Sequence, residues 1–294
     1  MATKTGGGGA SEVASIKLTR RQFLGRVAAA GLLAVAASGG YAALWEPFDY
    51  ELTERDIFIR GLGAGFDGFR IAQVSDVHHS RIVSIEEVRR VVELARGAKA
   101  DLIALTGDYS TSRRQYIEPC AEALGSLEAP QGVWAVLGNH DHYNDAELTT
   151  RALERRGIQL LTNANTVIRR GGDELQLLGV DDWGWGKTDW ARALRGVDAS
   201  RPSVLLSHEP DVFDAPQARA LSLVLSGHTH GGQVCLPLVG APARLFMRLP
   251  YLRGHYEREG AQLYVSRGTG MIGVPVRFGA RPEVAVLRLR RADA

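Results

Sequence analysis

From about Leu52 onward, apolar residues gather in short runs of strand length bounded by turn-forming residues. The runs fall at 69–74, 102–106, 133–137, 175–180, 203–207, 221–225, 263–266 and 284–289, and each predicts a strand. Between several of them the period lengthens to that of a helix. In Ile85-Glu86-Glu87-Val88-Arg89-Arg90-Val91-Val92-Glu93-Leu94 the apolar positions share one helical face, and Ser84 stands where a cap is needed. Residues 147–156 and 190–194 have a similar pattern. Strands alternating with helices predict an α/β fold with helices covering sheet faces.

Two regions depart from that pattern. Residues 237–256 carry Pro237, Pro242 and Pro250 among Leu245, Phe246, Met247, Leu249, Tyr251 and Leu252, interleaved with Arg244, Arg248 and Arg253. They read as an irregular, apolar-rich excursion near the site, suited to a lipid interface and anionic headgroups. The alternative is that they pack within the domain. The other region is the N-terminus. Residues 1–16 are rich in Gly, Ala, Ser and Thr and read as disordered, while Thr19-Arg20-Arg21-Gln22-Phe23-Leu24-Gly25 precedes an uncharged run of 19 residues over 27–45. Basic residues ahead of an apolar stretch are the layout of an export signal. The run approaches the roughly 20 residues needed to span a bilayer, so removal of the signal and its retention as an anchor both stay open. The expected organisation is therefore 1–50 as disordered N-terminus plus signal or anchor, and 51–294 as one folded domain.

Charge changes the picture a little. The chain carries 35 basic and 33 acidic residues, of which five and three lie in residues 1–50. The remainder holds 30 of each, so the body lacks the basic excess of a nucleic-acid binder, and no nucleic-acid partner is expected. Cys120 and Cys235 are the two cysteines, and their pairing is open.

Candidate chemistry changes it most. The run 69–74 leads into Ser75-Asp76-Val77-His78, and 102–106 into Gly107-Asp108. The run 133–137 leads into Gly138-Asn139-His140-Asp141, and 203–207 into His208. The run 221–225 ends in Ser226-Gly227-His228-Thr229-His230. Five runs thus deliver Asp, Asn or His at their carboxyl ends, where ligands bind in open α/β sheets. Carboxylate, amide oxygen and imidazole suit Mn, Fe or Zn, and no thiolate is offered. There are donors enough for two ions, which can clamp a phosphoryl group and activate water for in-line attack.

Asp76-x-His78, Gly107-Asp108, Gly138-Asn139-His140-Asp141, His208 and Gly227-His228-Thr229-His230 together resemble the signature of calcineurin-like metallophosphoesterases. The resemblance implies a four-layer αββα sandwich of two mixed β-sheets, with a dimetal site at the carboxyl ends of strands. It implies that Asp76, His78, Asp108 and His230 hold one metal, and that Asp108, Asn139, His208 and His228 hold the other. His140 would contact the phosphate and help protonate the leaving group, with Asp141 orienting it. Two divalent ions are expected, Mn foremost, with Fe or Zn as alternatives. The implied reaction is hydrolysis of a phosphodiester or pyrophosphate by a metal-bound hydroxide, on a substrate that is lipid-linked if the excursion meets a membrane. Phosphomonoesterase activity and a catalytically inactive metal-binding protein are the competing readings.

Within the family, Ser207-His208-Glu209-Pro210-Asp211, Ser266-Arg267-Gly268-Thr269-Gly270 and Gly279-Ala280-Arg281-Pro282-Glu283 look similar to envelope phosphodiesterases and to one class of UDP-2,3-diacylglucosamine diphosphatase. Arg20-Arg21 with Phe23-Leu24 resembles the twin-arginine consensus. That implies the twin-arginine translocase as an export partner and a location in the periplasm or on the extracytoplasmic face of the cell membrane. Arg113, Arg114, Arg244, Arg248, Arg253 and Arg267 fall where they could rim the site.

Overall fold

The computed structural model describes residues 19–292; the disorder expected for residues 1–16 lies outside them. The chain divides into two compact units, Met1–Gly40 and Tyr41–Ala294. A helix (α1, Arg20–Leu44) begins at the arginine pair. It buries none of its residues and is long and apolar enough, by length and composition, to cross a membrane.

The larger unit starts ahead of residue 51. Glu46 is buried, and its Oε1 accepts the Ala280 N–H at 2.7 Å. Twelve strands follow: β1 (Glu51–Ile59), β2 (Arg70–Val74), β3 (Leu102–Thr106), β4 (Val133–Val136), β5 (Gln159–Leu160), β6 (Ala164–Arg170), β7 (Asp173–Gly179), β8 (Ser203–Leu206), β9 (Leu223–Ser226), β10 (Gly254–Arg258), β11 (Ala261–Val265) and β12 (Glu283–Arg291). They form two six-stranded sheets, ordered β1-β12-β2-β3-β4-β5 and β10-β11-β9-β8-β7-β6. Both are mixed. In the first, β12 runs antiparallel to β2 while β2, β3, β4 and β5 are parallel. In the second, β7, β8, β9 and β11 are parallel with antiparallel β6 and β10 at the edges.

Alternation along the strands explains the layering, because successive side chains point to opposite faces. Ile71, Leu102, Ala104, Val204, Leu206, Leu223 and Leu225 meet in a core between the sheets. Their neighbours Ala72, Ile103 and Leu105 face outward against helices α2 (Ile85–Gly97), α3 (Ile117–Leu124) and α4 (Asn139–Glu154). On the far side Leu205 and Val224 pack with α5 (Trp190–Ala193), α6 (Pro216–Arg219) and Phe213. The result is the expected αββα sandwich. A strand covered on both faces reads as a continuous apolar run, and all five residues of β3 are buried.

The expected helix after residue 84 forms with a full capping box. Ser84 Oγ accepts the Glu87 N–H at 3.3 Å, and the Glu87 carboxylate accepts the Ser84 N–H at 2.8 Å. The strands β1, β5, β6 and β10 lie outside the expected set. Each is half-exposed, so its burial never produces an apolar run.

Candidate metal centre

Five strands converge on one place, three from the first sheet (β2, β3, β4) and two from the second (β8, β9). The sheets are tied together there. Gln73 Nε2 donates to Thr106 Oγ1 at 3.0 Å and to Ser226 O at 2.9 Å. His208 Nδ1 lies 2.7 Å from Thr106 O, so it donates there and turns Nε2 toward Asp108 and Asn139.

The chain turns sharply just beyond β2, β3 and β9. Asp76, His78, Asp108, His228 and His230 all take positive φ, between 52° and 71°. Left-handed backbone costs a non-glycine residue roughly 1–2 kcal/mol, so these positions are held by what surrounds them. Two glycines make the close approach possible. A Cβ on Gly138 would lie 2.8 Å from the Asp108 nitrogen and the His208 ring, and one on Gly227 would collide with Ser75 Oγ and the Asp76 carboxylate.

The donor atoms then fall into two groups. In one, His78 Nε2 is 3.0 Å from His230 Nε2, 3.4 Å from Asp108 Oδ2 and 4.0 Å from Asp76 Oδ1. His230 Nε2 is 3.5 Å from the same Asp76 oxygen. In the other, Asn139 Oδ1 is 3.1 Å from His208 Nε2 and 3.0 Å from His228 Nδ1, while Asp108 Oδ2 is 3.2 Å from His208 Nε2. Asp108 Oδ2 belongs to both groups. Neighbouring ligands of one ion held at about 2.1 Å sit roughly 3.0–3.4 Å apart, so the donor set fits two cations sharing a carboxylate oxygen.

Electrostatics agree with that fit. Burial pushes His78 down to about 3 and His228 to about 4, and holds His230 well below the usual histidine range. Neutral imidazoles are what a cation requires. Burial also works against a charged His208, but Asp108 outweighs it and lifts His208 well above its ordinary value. That pairing would yield to a cation between them.

His140 is placed differently. Its ring meets that of His78 edge-on at 4.9 Å, its backbone N–H donates to Asp108 Oδ1 at 2.8 Å, and its buried Nδ1 has no partner in the protein.

The structure corrects the expectation for Asp141. Its carboxylate does not orient His140. It accepts the backbone N–H groups of Gly138 (2.9 Å), Asp108 (2.8 Å) and Tyr109 (3.0 Å). The cause is helical phase: Asp141 is the third residue of α4 and folds back onto that helix's own N-terminus. It ties two ligand loops together.

Several expected rim residues are also engaged elsewhere. Arg267 pairs with Glu51 at 2.8 Å and Glu283 at 2.7 Å, and Arg114 with Asp145 at 2.9 Å. His79 bonds the Val83 carbonyl at 2.9 Å, and His142 pairs with Asp181 at 2.7 Å. Both cysteines are free. The excursion, by contrast, stands out in solvent: Leu245, Phe246 and Met247 are 78%, 88% and 53% exposed.

Two contributors escape sequence reasoning. The Thr111 hydroxyl lies 2.5 Å from His78 Nδ1. Arg277, fully buried, donates to the carbonyls of Gly270, Ala280, Arg267 and Gly268, and its Nη2 comes within 3.5 Å of His230 Nδ1. Burial brings its pKa down to about 10. A lone arginine after Val276 carries no motif, whereas Gly138-x-x-Asp141 has the spacing of a capping box.

Comparison with known proteins follows the same residues. Residues 69–232 match the sequence profile described as calcineurin-like phosphoesterase. The uncharacterized metallophosphoesterase YkuE of Bacillus subtilis is 34% identical over 94% of this chain and 99% of its own. The phosphodiesterase YaeI of Escherichia coli is 31% identical over 92% of this chain and 99% of its own. A zebrafish (Danio rerio) transmembrane protein with a metallophosphoesterase domain is 32% identical over 82% of this chain and 58% of its own length. By its profile, its relatives and the Asp/His cluster at its strand ends, the chain belongs to the calcineurin-like phosphoesterase family, hydrolases of phosphoester bonds.

Proposed function

We propose that the enzyme cleaves a phosphodiester or pyrophosphate. The observation that carries this reading is the pair of donor groups sharing Asp108 Oδ2, with the His140 ring beside them and its buried Nδ1 without a protein partner. Asp76, His78, Asp108 and His230 would hold one divalent ion, and Asp108, Asn139, His208 and His228 the other; Mn is the preferred metal, with Fe and Zn as alternatives. Two such ions supply positive charge against phosphoryl oxygens and lower the pKa of water. The protein's part is positional. The Asp141 carboxylate fixes the loops carrying Asp108 and Asn139, Gly227 lets Asp76 approach, and His140 delivers a proton to the departing oxygen. The name of the Escherichia coli relative supports a diester over a monoester. Rates with manganese on bis-p-nitrophenyl phosphate and p-nitrophenyl phosphate test this; faster cleavage of the monoester would overturn it.

The substrate is an amphiphile met at the cell envelope, in the manner of UDP-2,3-diacylglucosamine. Exposed apolar side chains at Leu238, Leu245, Phe246 and Met247 support this, as do the arginines among them and the lack of any acid over residues 215–256. The apolar helix behind Arg20-Arg21 supports twin-arginine export to the extracytoplasmic side.

A further inference from the structure

A cavity of about 600 Å³ opens among the loops that lead away from the candidate metal ligands. Its walls are continuations of the loops that carry candidate ligands: residues 80–82 follow His78, residues 111–116 follow Asp108, and residues 271–275 follow Gly270. Gly270 is itself anchored to the centre, since its N–H donates to the Asp76 carbonyl at 2.7 Å. Thr111 lines the cavity and contacts His78 Nδ1, while His78 Nε2 faces Asp108. Thr111 therefore joins the cavity lining to one of the candidate metal donors.

The lining is specific in its charge. Arg81 and Arg113 contribute, and no acidic residue does. Among the described residues neither guanidinium makes an ion pair or a side-chain hydrogen bond, although the adjacent Arg114 is neutralised by Asp145. Ile82, Tyr116, Met271 and Ile272 give the cavity an apolar side. The walls are braced before any ligand arrives. Ser80 N–H donates to Val83 O at 3.0 Å, Ser80 Oγ accepts the Ile82 N–H at 3.1 Å, and the Tyr116 ring meets His79 edge-on at 5.1 Å.

Two arginines without counter-ions, over an apolar floor, can take an anion through charge-assisted and bidentate hydrogen bonds while the floor covers carbon. We propose that this cavity is a subsite for a second anionic group, a phosphate or carboxylate, borne by the alcohol portion of the substrate beyond the scissile phosphate. The subsite rests on the phosphodiester reading and narrows it: simple dialkyl phosphates are poor substrates, and diesters of phosphorylated alcohols are good ones.

Two matched chromogenic diesters test this, p-nitrophenyl ethyl phosphate and p-nitrophenyl 2-phosphoethyl phosphate, which differ only in the second phosphate. The manganese-loaded enzyme should show a KM about tenfold lower for the phosphorylated diester, the worth of one charge-assisted contact. Arg81→Gln with Arg113→Gln should erase that advantage and leave kcat on both diesters, and KM for the ethyl diester, little changed. Arg81→Lys with Arg113→Lys should restore part of it. No advantage in the wild type, an advantage that survives the double variant, or an equal rise in KM for both diesters would overturn the subsite. Should neither diester turn over, the phosphodiester reading fails instead. Calorimetric titration with the same pair then still decides the subsite, by whether the phosphorylated compound binds tighter and loses that margin in the double variant.

Discussion

Seven side chains and one backbone fold make the centre, and the chemistry depends on how each residue is held. Asp108 presents one carboxylate oxygen to His78 and to His208 while its other oxygen is occupied by the His140 N–H. His140 is the only residue of the constellation whose imidazole has no hydrogen bond within the protein among those described, although a ring nitrogen lies within 4.8 Å of the His78 and Asp108 donors. It should therefore act on substrate and not on metal. His140→Asn is expected to keep its full metal content and lose about 10²–10⁴ in turnover, the range for a general acid. The loss should shrink for esters with good leaving groups, which depart without a proton. Equal losses for good and poor leaving groups would remove that role. The candidate donors were legible in the sequence because each stands within four residues of the end of a buried strand. Asp141 was misjudged because adjacency to His140 outweighed helical phase. At the third position of α4 a carboxylate returns to its own helix end. Arg277 and Thr111 left no signal, since their roles arise only when distant loops meet.

Elements differ in how much of themselves they write into the chain. β3, buried over its whole length, was readable to the residue, and the cap at Ser84 marked the start of α2. The edge strands β1, β5, β6 and β10 were not, because solvent on one side dilutes the apolar pattern. The excursion at residues 237–256 was ambiguous in sequence, as apolar loop residues are commonly buried. In the structure Leu238 and Phe246 have almost no neighbours to lose, so Leu238→Ser with Phe246→Ser should leave folding and the rate on a soluble chromogenic diester unchanged. Hydrolysis of a lipid-linked diester in vesicles should fall severalfold if this surface meets the bilayer, in proportion to the apolar area withdrawn from lipid. Equal rates of the variant and the wild type on the vesicle substrate would detach the excursion from substrate access.

At the scale of the molecule, the sandwich brings five strand ends from two sheets to one point, and the family match over residues 69–232 spans that convergence. The helix beginning at Arg20 carries the proposal about location. Arg20→Lys with Arg21→Lys should leave the protein in the cytoplasm, and fractionation showing normal export of that variant would show the signal to be of another kind. Everything else rests on the shared carboxylate. Elemental analysis of the purified protein after manganese loading tests it most directly. Two ions per chain are expected for the wild type, and Asp108→Asn should lose both together with nearly all turnover. A single ion per chain that survives Asp108→Asn would contradict the centre described here.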